Sequence, residues 1–266
     1  MQNVEELQQY VDSLTKQSVL SSQTVVAVPE CLPAPCFPEI IMKVLGVVTK
    51  HEWEDLTDRA RNYLKWITVK AEAIDELAPQ PLHTTTRGFE LLAIDRDGNS
   101  FGEIVERSQE LGIPSVLVRF ASLIATFLTV RLLRQQMGRD REVMPSLTFS
   151  QNVDANYLNY PRTLKTLLEL FPEYKEMFYF EINEEITEDY LTTIRALADD
   201  LGIRLALDDT NKMNINVHHK LLDLADWVKI DFEATANLEQ QLLSGYGEKI
   251  ILHFEEYALG VRSPVI

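Results

Sequence analysis

From about Pro79 onward, short apolar runs alternate with amphipathic segments, and no other feature restricts the fold of this chain as strongly. Brief apolar runs spaced by helical patterns read as buried strands of a parallel sheet, because each parallel connection needs a crossover that covers the sheet. Strands are expected at Phe89–Ile94, Ser146–Val153, Met177–Ile182, Ile203–Leu207, Trp227–Ile230 and Lys249–Phe254. Helices are expected at Phe101–Leu111, Val116–Met137, Pro161–Leu170, Glu188–Leu201, His218–Leu224 and Leu238–Leu243. Pro161 suits the first turn of a helix and Gly202 the residue that closes one. This order predicts an α/β fold of the (β/α)8, TIM-like barrel type, with its chemistry at the C-terminal ends of the strands.

Ahead of the barrel, assigned to residues 76–266, residues 1–75 read as a helical extension. Amphipathic stretches at Glu5–Leu14, Glu39–Val48 and Glu52–Ala73 flank a segment broken by Pro29, Pro33, Pro35 and Pro38. In the third stretch Leu56, Ala60, Tyr63, Leu64 and Ile67 fall on one helical stripe. That stripe predicts a cap or a dimer element, with contact to a protein partner as the sharper alternative. Trp53, Trp66 and Trp227 are expected in the core. Cys31 and Cys36 lack further cysteines for a zinc site, which points to free thiols in a reducing cytoplasm. Lys+Arg 25 against Asp+Glu 41 leaves a net charge of −16, which disfavours a nucleic-acid polymer as partner. Apolar runs fall short of the ~18–20 residues of a membrane span, and MQNVEELQQY lacks the pattern of a secretory signal. The expectation is therefore a cytoplasmic protein without a membrane partner.

Polar residues interrupt several of the apolar runs. Glu90 lies in GFELLAI, Asn152 in LTFSQNV and Glu181 in MFYFEIN; Asp208 and Asp209 close RLALDD, and Lys229 precedes Asp231 in WVKID. A carboxylate among apolar neighbours is costly to bury unless it is paired or holds a cation. Taken singly, each could cap the following helix. Taken together at one barrel mouth, carboxylate and amide oxygens form a donor set suited to Mg²⁺ or Mn²⁺. Adjacent aspartates can serve two metals, the arrangement used to cleave phosphodiesters. His218 and His219 are neighbours on a predicted helix, point about 100° apart, and make a poor chelating pair.

The order of these motifs resembles the EAL domain family of cyclic di-GMP phosphodiesterases. Gln80-Pro81-Leu82 is similar to its QPI strand and Gly88–Leu92 to its GFEAL strand; Ser100–Gly112 is similar to the helix that follows. Phe149–Leu158 is similar to LSVNLS, Glu181–Glu184 to EITE, and Leu201–Asp209 to LGxxIALDD. Lys229-Ile230-Asp231 is the KID motif, and Lys249–Glu255 resembles VIAEGVE weakly. The resemblance implies metal ligands at Glu90, Asn152, Glu181 and Asp208, with Asp209 serving a second metal. It places Lys229 beside the attacking water, assigns Glu255 to the last glutamate of its motif, and gives Glu184 the support of the loop after the paired aspartates. It implies a bacterial signalling role, cyclic di-GMP as ligand, and a homodimer.

Departures from the pattern are equally specific. The arginine that grips substrate phosphate falls at Ile94; Arg96, two residues on and on the same strand face, is the candidate replacement. The loop written DDFGTGYSS in the family is here DDTNKMNIN, without glycine. Leu252 stands at a glutamate, with His253 beside it, and only Val261–Ile266 remains for a short eighth strand. These changes imply a divergent EAL-type barrel, shortened at its C-terminus and weakly active or inactive, that serves as a regulatory or binding module. The alternative is an active Mg²⁺- or Mn²⁺-dependent phosphodiesterase that releases the linear dinucleotide.

Overall fold

The computed structural model describes residues 37–79, 82–137, 148–152, 159–172, 178–182, 188–207, 224–231 and 250–253, with single positions at 5, 7, 9 and 157. The chain divides into two compact units, each built from separated stretches. One holds Met1–Lys70, Leu91–Pro145 and Asn159–Tyr174; the other holds Ala71–Glu90, Ser146–Leu158 and Lys175–Ile266.

The first unit contains helices α1 (Phe37–Val48), α2 (Lys50–Glu54), α3 (Asp58–Leu64), α4 (Phe101–Glu110), α5 (Ser115–Met137) and α6 (Pro161–Leu170). Its core is α5, where residues 116–130 are buried apart from the half-buried Arg119. A helix apolar all round has no face to give to solvent, so its neighbours must surround it. Helices α1 and α4 both pack on α5, and α1 also touches α6. Ile40, Ile41, Val44 and Leu45 supply the buried stripe of α1. Phe127 of α5 lies 5.3 Å from Phe171, and Arg131 sets its guanidinium 5.5 Å over the same Phe171 ring. Helix ends follow local chemistry. Thr57 accepts from the Ala60 N–H at 3.2 Å to open α3, and the Glu103 carboxylate accepts from the Ser100 N–H at 2.7 Å to open α4. Gly112 follows α4 at φ 67°, a left-handed conformation that strains residues with a Cβ.

The second unit is the sheet, with α7 (Glu188–Leu201). Its strands are β1 (Thr68–Pro79) and β2 (Leu82–Ile94), which begin or end in the first unit, then β3 (Thr148–Asn152), β4 (Phe178–Ile182), β5 (Arg204–Leu207), β6 (Trp227–Asp231) and β7 (Ile250–His253). The strands run in sequence order and close into a barrel. Each pair from β2–β3 to β6–β7 is parallel. β1 meets β7 antiparallel, with Ile74 opposite His253 and Asp75 opposite Leu252. Among the described residues there are thus seven strands, and the first runs against the rest. The stretch Val261–Ile266, expected as an eighth, lies outside the described residues.

Arg195 of α7 locks the helix to the sheet. Its Nη1 donates to Asp226 Oδ2 at 2.8 Å and its Nη2 to Asp199 Oδ1 at 2.6 Å, while Asp226 Oδ2 also accepts from the Leu205 N–H at 2.8 Å. Burial pulls the guanidinium's pKa down, but the two carboxylates outweigh it and raise the value. One partly exposed charge cluster thereby fixes α7, β5 and the start of β6 together.

Expected and observed elements agree closely for α6 and α7, and within one or two residues for α1, α4, α5 and β3–β7. The stretch Glu52–Ala73 differs. Instead of one helix it forms α2, α3 and then β1 from Thr68. The buried stripe holds at Leu56, Ala60, Leu64 and Ile67. Past Ile67, however, the residues of TVKAEAIDELAP join the sheet, and pairing with β7 overrides the helix propensity of Ala, Glu and Leu. Trp66, expected in the core, is 48% exposed because it falls in the turn between α3 and β1. Trp53 is half-buried. Of Glu5–Leu14, only Glu5, Leu7 and Gln9 are described; they are helical, with Leu7 buried. Cys31, Cys36, His218, His219 and the Leu238–Leu243 helix lie outside the described residues.

Candidate metal and nucleotide site

Register in the sheet decides which positions share a face. Successive residues of a strand alternate between faces, and residues paired across parallel strands share one. Glu90 of β2 is opposite Ser150 of β3. Two residues on, Asn152 is opposite Glu181 of β4, and Glu181 is opposite Ala206 of β5. Ala206 is opposite Trp227 of β6, and Lys229 follows two residues later. Positions 90, 152, 181 and 229 therefore occupy a single face of the sheet. Asn152 closes β3 and Glu181 is next to last in β4, at the strand ends where barrel chemistry is built, while Lys229 is in the middle of β6.

Glu181 has no exposed surface. Its strand, FYFEI, is buried at every position, with Phe178 and Phe180 in edge-to-face contact at 5.3 Å on one face and Tyr179 and Glu181 on the other. Arg204 opens β5 opposite Tyr179; its Nη1 donates to the Tyr179 hydroxyl oxygen at 2.6 Å. Burial raises the Tyr179 pKa, and the guanidinium opposes that rise. Asn152 ends β3 and is exposed, so the Asn152–Glu181 pair spans from solvent to interior at one register level. Register sets a carboxylate position next to an amide position, and these are residue types from which hard divalent cations draw oxygen ligands. Among the described residues no three His, Cys, Asp or Glu side chains come together as a metal site. Asp208, Asp209, Glu184 and Glu255 lie outside the described residues.

Arg96 follows β2 in an exposed turn of the first unit. Its guanidinium stands 5.4 Å over the Trp66 ring, and its Nε is 3.6 Å from Asp97 Oδ1. Ile94, at the family's arginine position, is half-buried at the end of β2.

The same turn holds a residue that the motif reading passed over. Asp95 is 3% exposed. Its Oδ1 accepts from the Asp97 and Asn99 N–H groups at 2.9 and 3.1 Å, and its Oδ2 from Asn99 Nδ2 at 2.9 Å and the Tyr63 hydroxyl at 3.3 Å. Burial pushes the Asp95 pKa up, but these donors outweigh it and hold the carboxyl below its usual range. Burial and the Asp95 charge push the Tyr63 hydroxyl up to about 12. The signal was present in Asp95-Arg96-Asp97-Gly98-Asn99, a turn signature in which an aspartate side chain bonds the backbone two residues on. A groove of about 350 Å³ in this unit is lined by Tyr63, Asp95, Asp97, Glu103, Glu106 and Arg107 among others, none of them a predicted site residue.

No protein-family model matches the sequence, and no curated relative does. Solved structures do match. The EAL enzyme Bd1971 bound to cAMP and cyclic di-GMP aligns at 15% identity with TM-score 0.54, over 91% of this chain and 70% of that one. Its cAMP-bound form aligns at 14% identity with TM-score 0.52 and the same coverage. This chain has an EAL-like fold. A Vibrio cholerae LapD S helix-GGDEF-EAL structure bound to cyclic di-GMP also aligns, at 14% identity and TM-score 0.44, over 84% of this chain. The chain spans only 48% of that one, about half its length. Among the described residues no helix is long and apolar enough to cross a membrane.

Proposed function

We propose that this chain is a divergent EAL-type module of cyclic di-GMP signalling that holds a divalent cation and the cyclic dinucleotide but turns the dinucleotide over weakly or not at all. The reading rests on one observation above the rest: register puts positions 90, 152, 181 and 229 on one face of the parallel sheet. Those are the positions at which the EAL resemblance has three metal ligands and the lysine. A divalent ion there supplies Lewis-acid charge against a phosphodiester. Glu90, Asn152 and Glu181 would hold it together with Asp208, with Asp209 toward a second ion. Lys229 would orient water or offset phosphate charge. Glu184 would steady the following loop, and Glu255 would belong with Lys229 and Asp209 to the catalytic set.

Weak turnover follows from the substitutions. Isoleucine at position 94 has no charge with which to grip phosphate, and Arg96 is engaged over Trp66 in an exposed turn. Leucine at position 252 has no oxygen to offer a metal or water. Further parts of the proposal are a complete EAL-type (β/α)8 barrel in residues 76–266, a homodimer, and a protein partner for residues 1–75.

The second reading is an active phosphodiesterase using Mg²⁺ or Mn²⁺. What favours it is the full burial of Glu181, since a barrel reused for unrelated purposes has no need of a carboxylate there. Incubation with cyclic di-GMP and Mn²⁺ separates the two. We expect calorimetric binding with no more than a trace of linear dinucleotide. Rapid turnover that is abolished in Glu90→Ala would establish the second reading, and failure to bind either metal or nucleotide would sink both.

A further inference from the structure

Helix α3 has seven residues, well short of the ~12–15 at which an isolated helix becomes marginal in water, so contacts from outside hold it in place. Ala60 and Leu64 bury one side of it. Its other contacts run in two directions. Toward α2, Arg61 Nη2 donates to the Trp53 and Glu54 carbonyls at 3.1 and 3.2 Å, and the guanidinium stands 5.5 Å over the Trp53 ring. Trp53 packs in turn on α1, where a Cβ at Gly46 would stand 3.3 Å from Trp53 Nε1. Toward the turn after β2, the Tyr63 hydroxyl donates to Asp95 Oδ2, and Trp66, just past α3, lies under the Arg96 guanidinium. Arg61 and Tyr63 are two residues apart, so they leave the helix about 200° apart and join different neighbours.

Together these contacts run from α1 through Trp53, Arg61 and Tyr63 to Asp95. They end on the carboxylate that orders the turn, because Asp95 Oδ1 accepts from the Asp97 and Asn99 N–H groups. The Arg61 and Tyr63 links are partly exposed, whereas α5 is held by apolar burial, so the links can open while α5 stays packed. We propose that α3 is a conformational relay: the seating of α2 on α1 sets the order of the turn Asp95–Asn99, and displacing α2 loosens that turn. The N-terminal helices are thereby a control element for the segment that directly follows β2, beyond any role as a cap. The inference depends on neither metal nor nucleotide binding.

Backbone amide exchange, followed by NMR on the full chain, tests the relay at Asp97 and Asn99, with residues 120–128 of α5 as the reference. Trp53→Leu and Arg61→Gln each change a side chain outside the turn. Each should speed exchange at Asp97 and Asn99 on the order of tenfold, with α5 changing less than about twofold. Tyr63→Phe should do the same to the turn, and adding Arg61→Gln to it should bring less than about twofold more, since the link is already cut. Unchanged turn amides in both Trp53→Leu and Arg61→Gln would overturn the inference. Equal acceleration of the turn and α5, the mark of a global loss of stability, would overturn it too. So would full additivity of Arg61→Gln on Tyr63→Phe, which would carry the coupling by another route. Where these variants fold poorly, Arg61→Lys, which keeps the charge and loses the forked donors, should give a smaller acceleration confined to the turn, and its absence would count equally against the relay.

Discussion

Asp95 in the helical unit and Glu181 in the sheet are both carboxylates removed from water, at 3% and 0% exposure, and they arrive there by different routes. Asp95 lies in a turn whose own backbone and side chains donate to it, with Tyr63 of α3 as a distant donor. Its placement is local, and its effect is to tie the turn after β2 to α3. Glu181 lies mid-sheet, where the backbone is committed to ladder bonds, and its position is set by pairing with β3 and β5. Asp95 is held by donors that come largely from its own turn, whereas Glu181 is placed by strand register on a face shared with positions 90, 152 and 229.

The sharpest test of that contrast removes each charge in turn. Asp95→Ala should cost about 2–3 kcal/mol, because several donors lose their acceptor at once. Glu181→Gln, in chelator-treated protein, should cost less than Asp95→Ala, since the isosteric amide keeps the side chain's volume and one acceptor oxygen. The same variant should lose the rise in melting temperature that Mn²⁺ gives the wild type. Chemical denaturation and thermal melts with and without Mn²⁺ read all of these. A Glu181→Gln variant as unstable as Asp95→Ala would make both carboxylates structural and erase the distinction.

Titration gives a smaller, graded effect. The folded-state pKa of Asp95 lies below its ordinary value of 3.8, so its contribution is complete above that value and is lost as pH falls through the folded pKa. The Tyr63 hydroxyl is raised from 10.0 to about 12, so its contribution is complete below 10 and is lost as pH rises toward 12. Asp95→Asn should flatten the acid limb of the stability profile and shrink the alkaline one. An unchanged acid limb would mean that the turn does not depend on the charge.

Least should come from the surface stack. Trp66→Ala or Arg96→Ala should change stability by about 1 kcal/mol or less, as expected for an exposed cation–π pair. Neither should alter Mn²⁺ affinity. A large loss of cyclic di-GMP binding in Arg96→Ala would return Arg96 to the role of the missing phosphate-binding arginine.

Much of the fold could be read from the residues because local and tertiary preferences agree there. In α6, Pro161 starts the helix and Leu164, Leu167, Leu168 and Leu170 supply its buried side, so pattern and boundary coincide. In α7 the close at Gly202 with φ 67° was legible for the same reason. The stretch after Ile67 was not, since its alanines and glutamates favour a helix and only the β1–β7 pairing makes it a strand. The identities of Glu90, Asn152, Glu181 and Lys229 were visible as polar interruptions in apolar runs. Their shared face was not, because one residue of slip in any strand pair would have moved a whole strand to the other side.

By itself the sequence determined the alternation of strand and helix, the oxygen-rich donor types, and isoleucine at position 94 and leucine at position 252, since these depend only on residue identity and spacing. Tertiary structure alone decided that positions 90, 152, 181 and 229 share one face of the sheet, and that Trp66 faces solvent rather than core. The physical reason is that facing is a property of paired strands and packed surfaces, and hydrogen-bond register between distant segments leaves no mark on any one of them.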